Sequence, residues 1–352
     1  MDGNAVEKIP ERGSYTVSVE CTNGDAYWDY TNWRVSIGNF SKRTKCNVNF
    51  TTGNYFNNYL IAASNTDYSL KKYTHAETYH TGKKAMIDYR YSGKEVNNYI
   101  CFKNSSCSED ELYRIIGVVP TQNNDTGIYE NRVKVIKSIN YEGSQNLKSG
   151  SIYTKSGKGY LWNETNENVW HISTLYNMLN TEYYQNLGTI KNYIDKTKWY
   201  LGAPASSNNA YTTYTSEEFY INERKRGGAY SGGNDYYVNY IGLIYPSDYG
   251  YSVESTKIND IYNKSIYENF KEYASNSWLY SLNGGTYFEW TISAVSDNNS
   301  AWCIHPDGFI DKNVVYSSNI FGVRPVFFLK STVQYKSGDG SKSNPYRISL
   351  SE

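Results

Sequence analysis

Hydrophobic and polar positions alternate first between residues 15 and 52. In "SYTVSVEC", Tyr15, Val17 and Val19 share one face and Thr16, Ser18 and Glu20 the other. "CNVNFTT" repeats the alternation, and "TNGD" and "GNFS" supply turn chemistry, so this stretch predicts paired strands. "LIAASNTDYSLKKYTHAETYHTGKK" opens as a short helix and turns polar, which marks residues 53–85 as a connection between domains. From Met86 onward the apolar runs are short. "NNYICF" and "YRIIGVVP" read as buried strands, and "RVKVIKSI" alternates. "NVWHISTLYNMLNTEYYQNL" carries Ile172, Leu175, Leu179 and Tyr183 at helical spacing, with Ser173 or His171 near its start. "TIKNYIDKTKWYLG" predicts a second short helix, and "NYIGLIYPSDYGYS" a buried strand ending in a turn.

The last quarter returns to strands. "TYFEWTISAV" is one. "AWCIHPDGFIDKNVVY" is two, joined by the turn "HPDG". "GVRPVFFLKS" follows, and "SGDGSKSNPYRI" closes with a turn and a short strand. Many short strands with two modest helices and long connecting loops define an α+β chain. The boundaries drawn are a small all-β module over 1–52, a connection over 53–85 and a main domain over 86–352.

Composition adds three restraints. Lys+Arg and Asp+Glu are both 35, so no basic excess points to nucleic acid. No apolar run reaches the length of a membrane span. Tyrosine is in excess at 39 of 352 residues. An AT-rich gene enriches Asn and Tyr everywhere, whereas a recognition surface uses Tyr, Asn and Ser for rigid, adaptable contacts; both readings stand.

The five cysteines lack CxxC or zinc-finger spacing, so no structural zinc is expected. Cys21 and Cys46 bracket the small module and read as its staple; Cys101 and Cys107 frame a loop a disulfide could close. Cys303, beside Trp302, reads as a buried apolar residue. Two disulfides imply an oxidising, extracellular setting; five reduced thiols in a cytosolic protein is the alternative. No HExxH, phosphate-cradling glycine loop or GxSxG elbow is present, and Glu217–Glu218 and Asp110–Glu111 read as solvated faces or caps. Neither cofactor nor metal is expected.

"YICF…CSEDELYRIIGVV", "RVKVIKS", "WNET…VWHISTLYNMLNTEYYQNL", "IGLIYPSDYGYS", "WLY…FEWTISAVS" and "FGVRPVFFLKS…SGDGSKSNPYRI" resemble, in this order, segments of uncharacterised gut Firmicutes surface proteins. The resemblance runs from about Asn97 to Ile348, and "IPERGSYTVSVECTNGDAYWDYTNW" resembles their small amino-terminal module. It implies a carboxy-terminal domain of the C-type-lectin-like fold, in its formylglycine-generating-enzyme-like form. It also implies a membrane anchor upstream of Met1 and a trimmed ectodomain here. The closing-strand pattern of that fold is matched by Gly322, Arg324 and Val326. By that likeness Arg324 is a buried structural arginine needing a partner, Glu289 or Asp248, with Trp290 and Gly322 in the same framework. The enzyme activity of the fold needs a cysteine pair where this chain offers Cys303 alone, and is rejected.

The same fold hosts the variable proteins of diversity-generating retroelements, and residues 276–329 resemble their variable region. Tyr280, Asn283, Tyr287, Asp297, Asn298, Asn299, Asn313, Tyr316, Ser318 and Asn319 interleave with an apolar frame. The resemblance implies that these ten residues meet a protein or glycan ligand. The expectation is a non-enzymatic cell-surface binding protein. The alternatives are a structural subunit of a surface filament or adhesive layer and, third, a glycan-acting enzyme.

Overall fold

The computed structural model describes residues 8–10, 15–29, 33–38, 42–52, 54–64, 66–75, 86–122, 129–143, 148–149, 158–205, 213–225, 235–254, 265–281, 288–296, 299–316 and 321–350. The architecture is mixed α+β and dominated by antiparallel strands. Tyr15–Cys21 pairs with Cys46–Thr52, and Asp25–Asp29 with Arg34–Gly38. In the first ladder Cys21 faces Cys46 directly, and the two are joined as a disulfide. Cys101 and Cys107 form a second. Both fit an oxidising environment. Among the described residues no helix is long and apolar enough to cross a membrane.

The core is an eight-stranded sheet. Its main path runs Ile194–Asp195, Val326–Leu329, Tyr129–Lys137, Leu112–Gln122, Met86–Tyr91, Leu70–His75. Ile241–Gly242 adds to the Val326–Leu329 strand and Tyr99–Cys101 to the Leu112–Gln122 strand. The Leu112–Gln122 strand is buried on both faces over most of its length, as its apolar run requires. Gly117 lies where two strands approach so closely that a Cβ would stand 2.0 Å from the Tyr89 carbonyl oxygen.

Two expectations are corrected. The stretch read as an inter-domain connection, 53–85, contributes the helix Phe56–Ala63 and the sheet strand Leu70–His75. Phe56, Leu60 and Leu70 are buried, so the edge drawn at Met86 falls inside the sheet. Of the polar residues that suggested a connection, Lys72 and Thr74 occupy exposed positions of an edge strand, Lys71 is half-buried and His75 is buried. The second helix expected over "TIKNYIDKTKWYLG" is a short 3-10 turn followed by the strands Ile194–Asp195 and Thr197–Tyr200. Buried Ile194, Thr197 and Trp199 fit pleated positions better than a helix face. The helical segment after Ser173 does form: Ser173 Oγ accepts from the Tyr176 amide at 3.0 Å as N-cap. Ile172 lies before that cap and is exposed, outside the apolar stripe assigned to it.

Five fully buried tryptophans lock segments far apart in sequence. A buried indole N–H needs an acceptor. Trp162 donates to Thr291 O at 3.0 Å, Trp199 to Asn239 O at 3.0 Å, Trp278 to Tyr91 O at 2.7 Å and Trp290 to Tyr160 O at 2.9 Å.

Candidate functional site

A three-stranded antiparallel sheet, Glu289–Ala294, Ser300–Ile304 and Ile310–Val314, carries the candidate face. Trp290 faces Cys303, and Trp302 faces Lys312; Trp290, Trp302 and Cys303 are fully buried. Burial pushes the Cys303 thiol well above its ordinary pKa, so it is an inert core thiol.

The closing strand is tied to this sheet through Gly322. Its amide donates to Phe288 O at 2.8 Å, and its carbonyl accepts from the Trp290 amide at 3.1 Å. That pairing sets Arg324 beside Glu289. Arg324 Nε lies 2.8 Å from Glu289 Oε1, Nη2 2.6 Å from Oε2, and Nη2 also donates to Leu279 O at 3.0 Å. Both side chains are fully buried, and this two-point fork is the partner a buried guanidinium requires. Asp248, the other carboxylate considered, is engaged elsewhere by Arg90 and Lys134.

Of the ten ligand-facing residues expected, Asn283, Tyr287, Asp297, Asn298, Ser318 and Asn319 lie outside the described residues. The other four fall into two places. Asn299, Asn313 and Tyr316 gather at one end of the hairpin. Ser300 faces Val314, Ala301 faces Asn313, and the Val315 amide donates to Asn299 O at 2.9 Å. Asn313 is half-buried and Tyr316 is 46% exposed. Tyr280 sits at the other end, its hydroxyl donating to Pro306 O at 2.6 Å in the turn. Four strand steps alone separate the ends by about 14 Å. One small ligand group cannot touch both.

The Asn299 end has a neighbour that the sequence reading passed over. Val315 O accepts from the Asn163 amide at 3.0 Å. Asn168 Nδ2 donates to Val295 O and to Ser300 O, both at 2.8 Å. The loop between them, Glu164 to Glu167, is exposed. It therefore stands beside Val295, Ser300 and Val315, next to Tyr316. "WNET" carried the signal, but only pairing across more than a hundred residues places it here.

The main constellation of titratable side chains lies elsewhere and is internal. His75 Nδ1 is 2.8 Å from Glu217 Oε2, and its Nε2 is 2.9 Å from Asp88 Oδ1. Arg90 bridges Asp88 and Asp248 at 2.7 and 2.6 Å, and Lys134 closes on Asp248. Tyr251 donates to Glu217 at 2.6 Å, and the His75 ring stacks on Tyr220 at 3.6 Å. Burial opposes a charged imidazole, but Asp88 and Glu217 outweigh it and raise the His75 pKa. Burial likewise pushes Asp88 up, while Arg90 and His75 overcome it and hold it at about 2. Both ring nitrogens face carboxylates, so His75 has no free nitrogen to take a proton from an outside group. The network is a charged core.

Elsewhere, His305 stacks on Phe309 at 4.0 Å, and burial lowers its pKa. Among the described residues no group of three or more His, Cys, Asp or Glu is placed to hold a metal. No family model matches the chain, and comparison with curated proteins and with solved structures gives no significant match.

Proposed function

We propose that the chain is a non-enzymatic binding protein of a bacterial cell surface, with a C-type-lectin-like main domain. The ligand, a protein or a glycan, meets the hairpin end formed by Asn299, Asn313 and Tyr316 together with the Glu164–Glu167 loop. The observation that supports this reading is the contrast across one hairpin. Trp302 and Cys303, on opposite faces of their strand, are both fully buried, while Tyr316, past the end of the neighbouring strand, is 46% exposed beside two asparagines. A rigid frame with an open aromatic and amide side chains suits recognition by stacking and hydrogen bonds. Replaceable outward positions on a fixed frame also suit a retroelement-diversified surface. The two disulfides fit an extracellular location.

The test compares the wild-type chain with the variant Asn299→Ala/Asn313→Ala/Tyr316→Ala on a printed array of glycans and bacterial surface proteins. The reading requires probes retained by wild type and lost by a variant with an unchanged melting temperature. Equal retention of every bound probe by both proteins would refute it, as would wild type binding none.

A further inference from the structure

A concave site is lined by none of the hairpin residues. A cleft of about 660 Å³ opens between the Asn97–Tyr99 stretch, the start of the Leu112–Gln122 strand and Lys342. Arg114 lines it and is only 4% exposed. Its Nε donates to Asn98 Oδ1 and its Nη2 to Val96 O at 3.2 Å. Both acceptors are neutral and use two of the five guanidinium N–H groups, and the Tyr99 hydroxyl is a third, also uncharged, partner. The guanidinium carbon lies 3.9 Å from the Tyr99 ring centroid and 4.9 Å from that of Trp278. Among the described residues no carboxylate reaches ion-pair distance of Arg114.

The contrast with the other buried cations is sharp. Arg90, Arg132, Lys134, Arg224 and Arg324 each hold at least one carboxylate, while Lys137 donates to the Asp110 carbonyl. Burial, with Arg324 nearby, instead pulls the Arg114 pKa down to about 10. A nearly buried guanidinium without a counter-charge is costly, and an anion entering the cleft would offset that cost.

We propose that this cleft binds a carboxylate monoanion, with Arg114 as its principal partner and the Tyr99 ring flanking it. The charge count selects a monoanion. Lys94, Arg114 and Lys342 stand against Glu95 and Glu109, which leaves one net positive charge. Lys342 is already paired with Glu109 at 3.0 Å. A phosphate dianion would bring excess negative charge next to two glutamates. Acidic sugars and peptide carboxy-termini share the carboxylate that the site selects.

The test is calorimetric titration of the full chain with four probes: glucuronate, N-acetylglycine, inorganic phosphate and methyl glucoside. Saturable binding of glucuronate alone assigns an acidic sugar, and of N-acetylglycine alone a peptide terminus. Arg114→Gln should weaken that binding by about tenfold or more, the loss expected for a charge-assisted hydrogen bond. Lys94→Glu, at an exposed position, should weaken it several-fold without changing the melting temperature, and decides the matter if Arg114→Gln does not fold. The proposal is overturned if neither carboxylate binds, if phosphate or methyl glucoside binds as tightly, or if Lys94→Glu binds as wild type.

Discussion

The Arg324–Glu289 pair joins the closing strand to the hairpin sheet, and its removal is the sharpest test of the frame. Arg324→Met keeps an unbranched apolar stem and removes the guanidinium and its charge. Two charge-assisted hydrogen bonds to Glu289 are lost, along with the one to Leu279 O. Glu289, fully buried, is left without its counter-charge. Breaking a buried pair from one side costs about 3–5 kcal/mol. Glu289→Leu should cost a similar amount by stranding Arg324. If the two costs added, the double variant would lose roughly 6–10 kcal/mol, comparable with the whole stability of a typical domain. Replacing both charges by apolar groups leaves no stranded ion, so Arg324→Met/Glu289→Leu should lie within about 2 kcal/mol of wild type. Urea unfolding followed by tryptophan fluorescence reads this, since five tryptophans are fully buried. Single variants each costing under about 1 kcal/mol, or costs that simply add, would refute the reasoning.

Three further outcomes follow from the same physical terms. The His75 pKa is raised in the folded protein, so its contribution is fully present below its unfolded value of about 6.5 and is lost as pH rises through the folded value. The groups facing it are Asp88, Glu217, Arg90, Tyr251 and Tyr220. Urea midpoints should therefore fall as pH rises above about 6.5, and His75→Gln should flatten that slope; an unchanged slope would assign the dependence to other groups. Gly117→Ala should destabilise by about 1–3 kcal/mol or more, because its Cβ would collide with the Tyr89 carbonyl; a neutral thermal midpoint would show that the strands can part. Removing the Cys21–Cys46 bridge, with its sequence separation of 25, should cost the small module about 3.5 kcal/mol by chain entropy. Proteolysis of a Cys21→Ser/Cys46→Ser variant, site by site, should expose 15–52 first, and uniform cleavage would contradict a local staple.

Much of the strand pattern was legible because alternation and turn residues act locally. The Cys21–Cys46 ladder and the "HPDG" turn are of this kind. What was not legible depends on long-range pairing. "RVKVIKSI" alternates as though one face met water, yet Arg132 and Lys134 are buried. Glu130 on the same strand supplies Arg132 with one carboxylate, but the others come from Asp195 and Asp248, far along the chain. A charge therefore marked an ion-paired interior here. "LKKYTH" read as polar connection because half-buried Lys71 and exposed Lys72 and Thr74 hid the buried Leu70, Tyr73 and His75 among them. At the candidate site, sequence order suggested one continuous face. The hairpin register instead puts Tyr280 near the turn and Asn299 and Tyr316 at the opposite end. Arg114 carried no local signal, because what distinguishes it is the company it lacks.

The central claim is a fixed buried frame that carries replaceable outward residues. Population sequencing of the codons for residues 276–329, together with the flanking locus, tests it most directly. The account predicts substitutions concentrated at the codons of Asn299, Asn313 and Tyr316. It predicts a template repeat differing from the gene at adenines, and unchanged codons for Glu289, Trp290, Trp302, Gly322 and Arg324. Substitutions spread evenly over inward and outward codons, or one invariant sequence with no repeat, would contradict it.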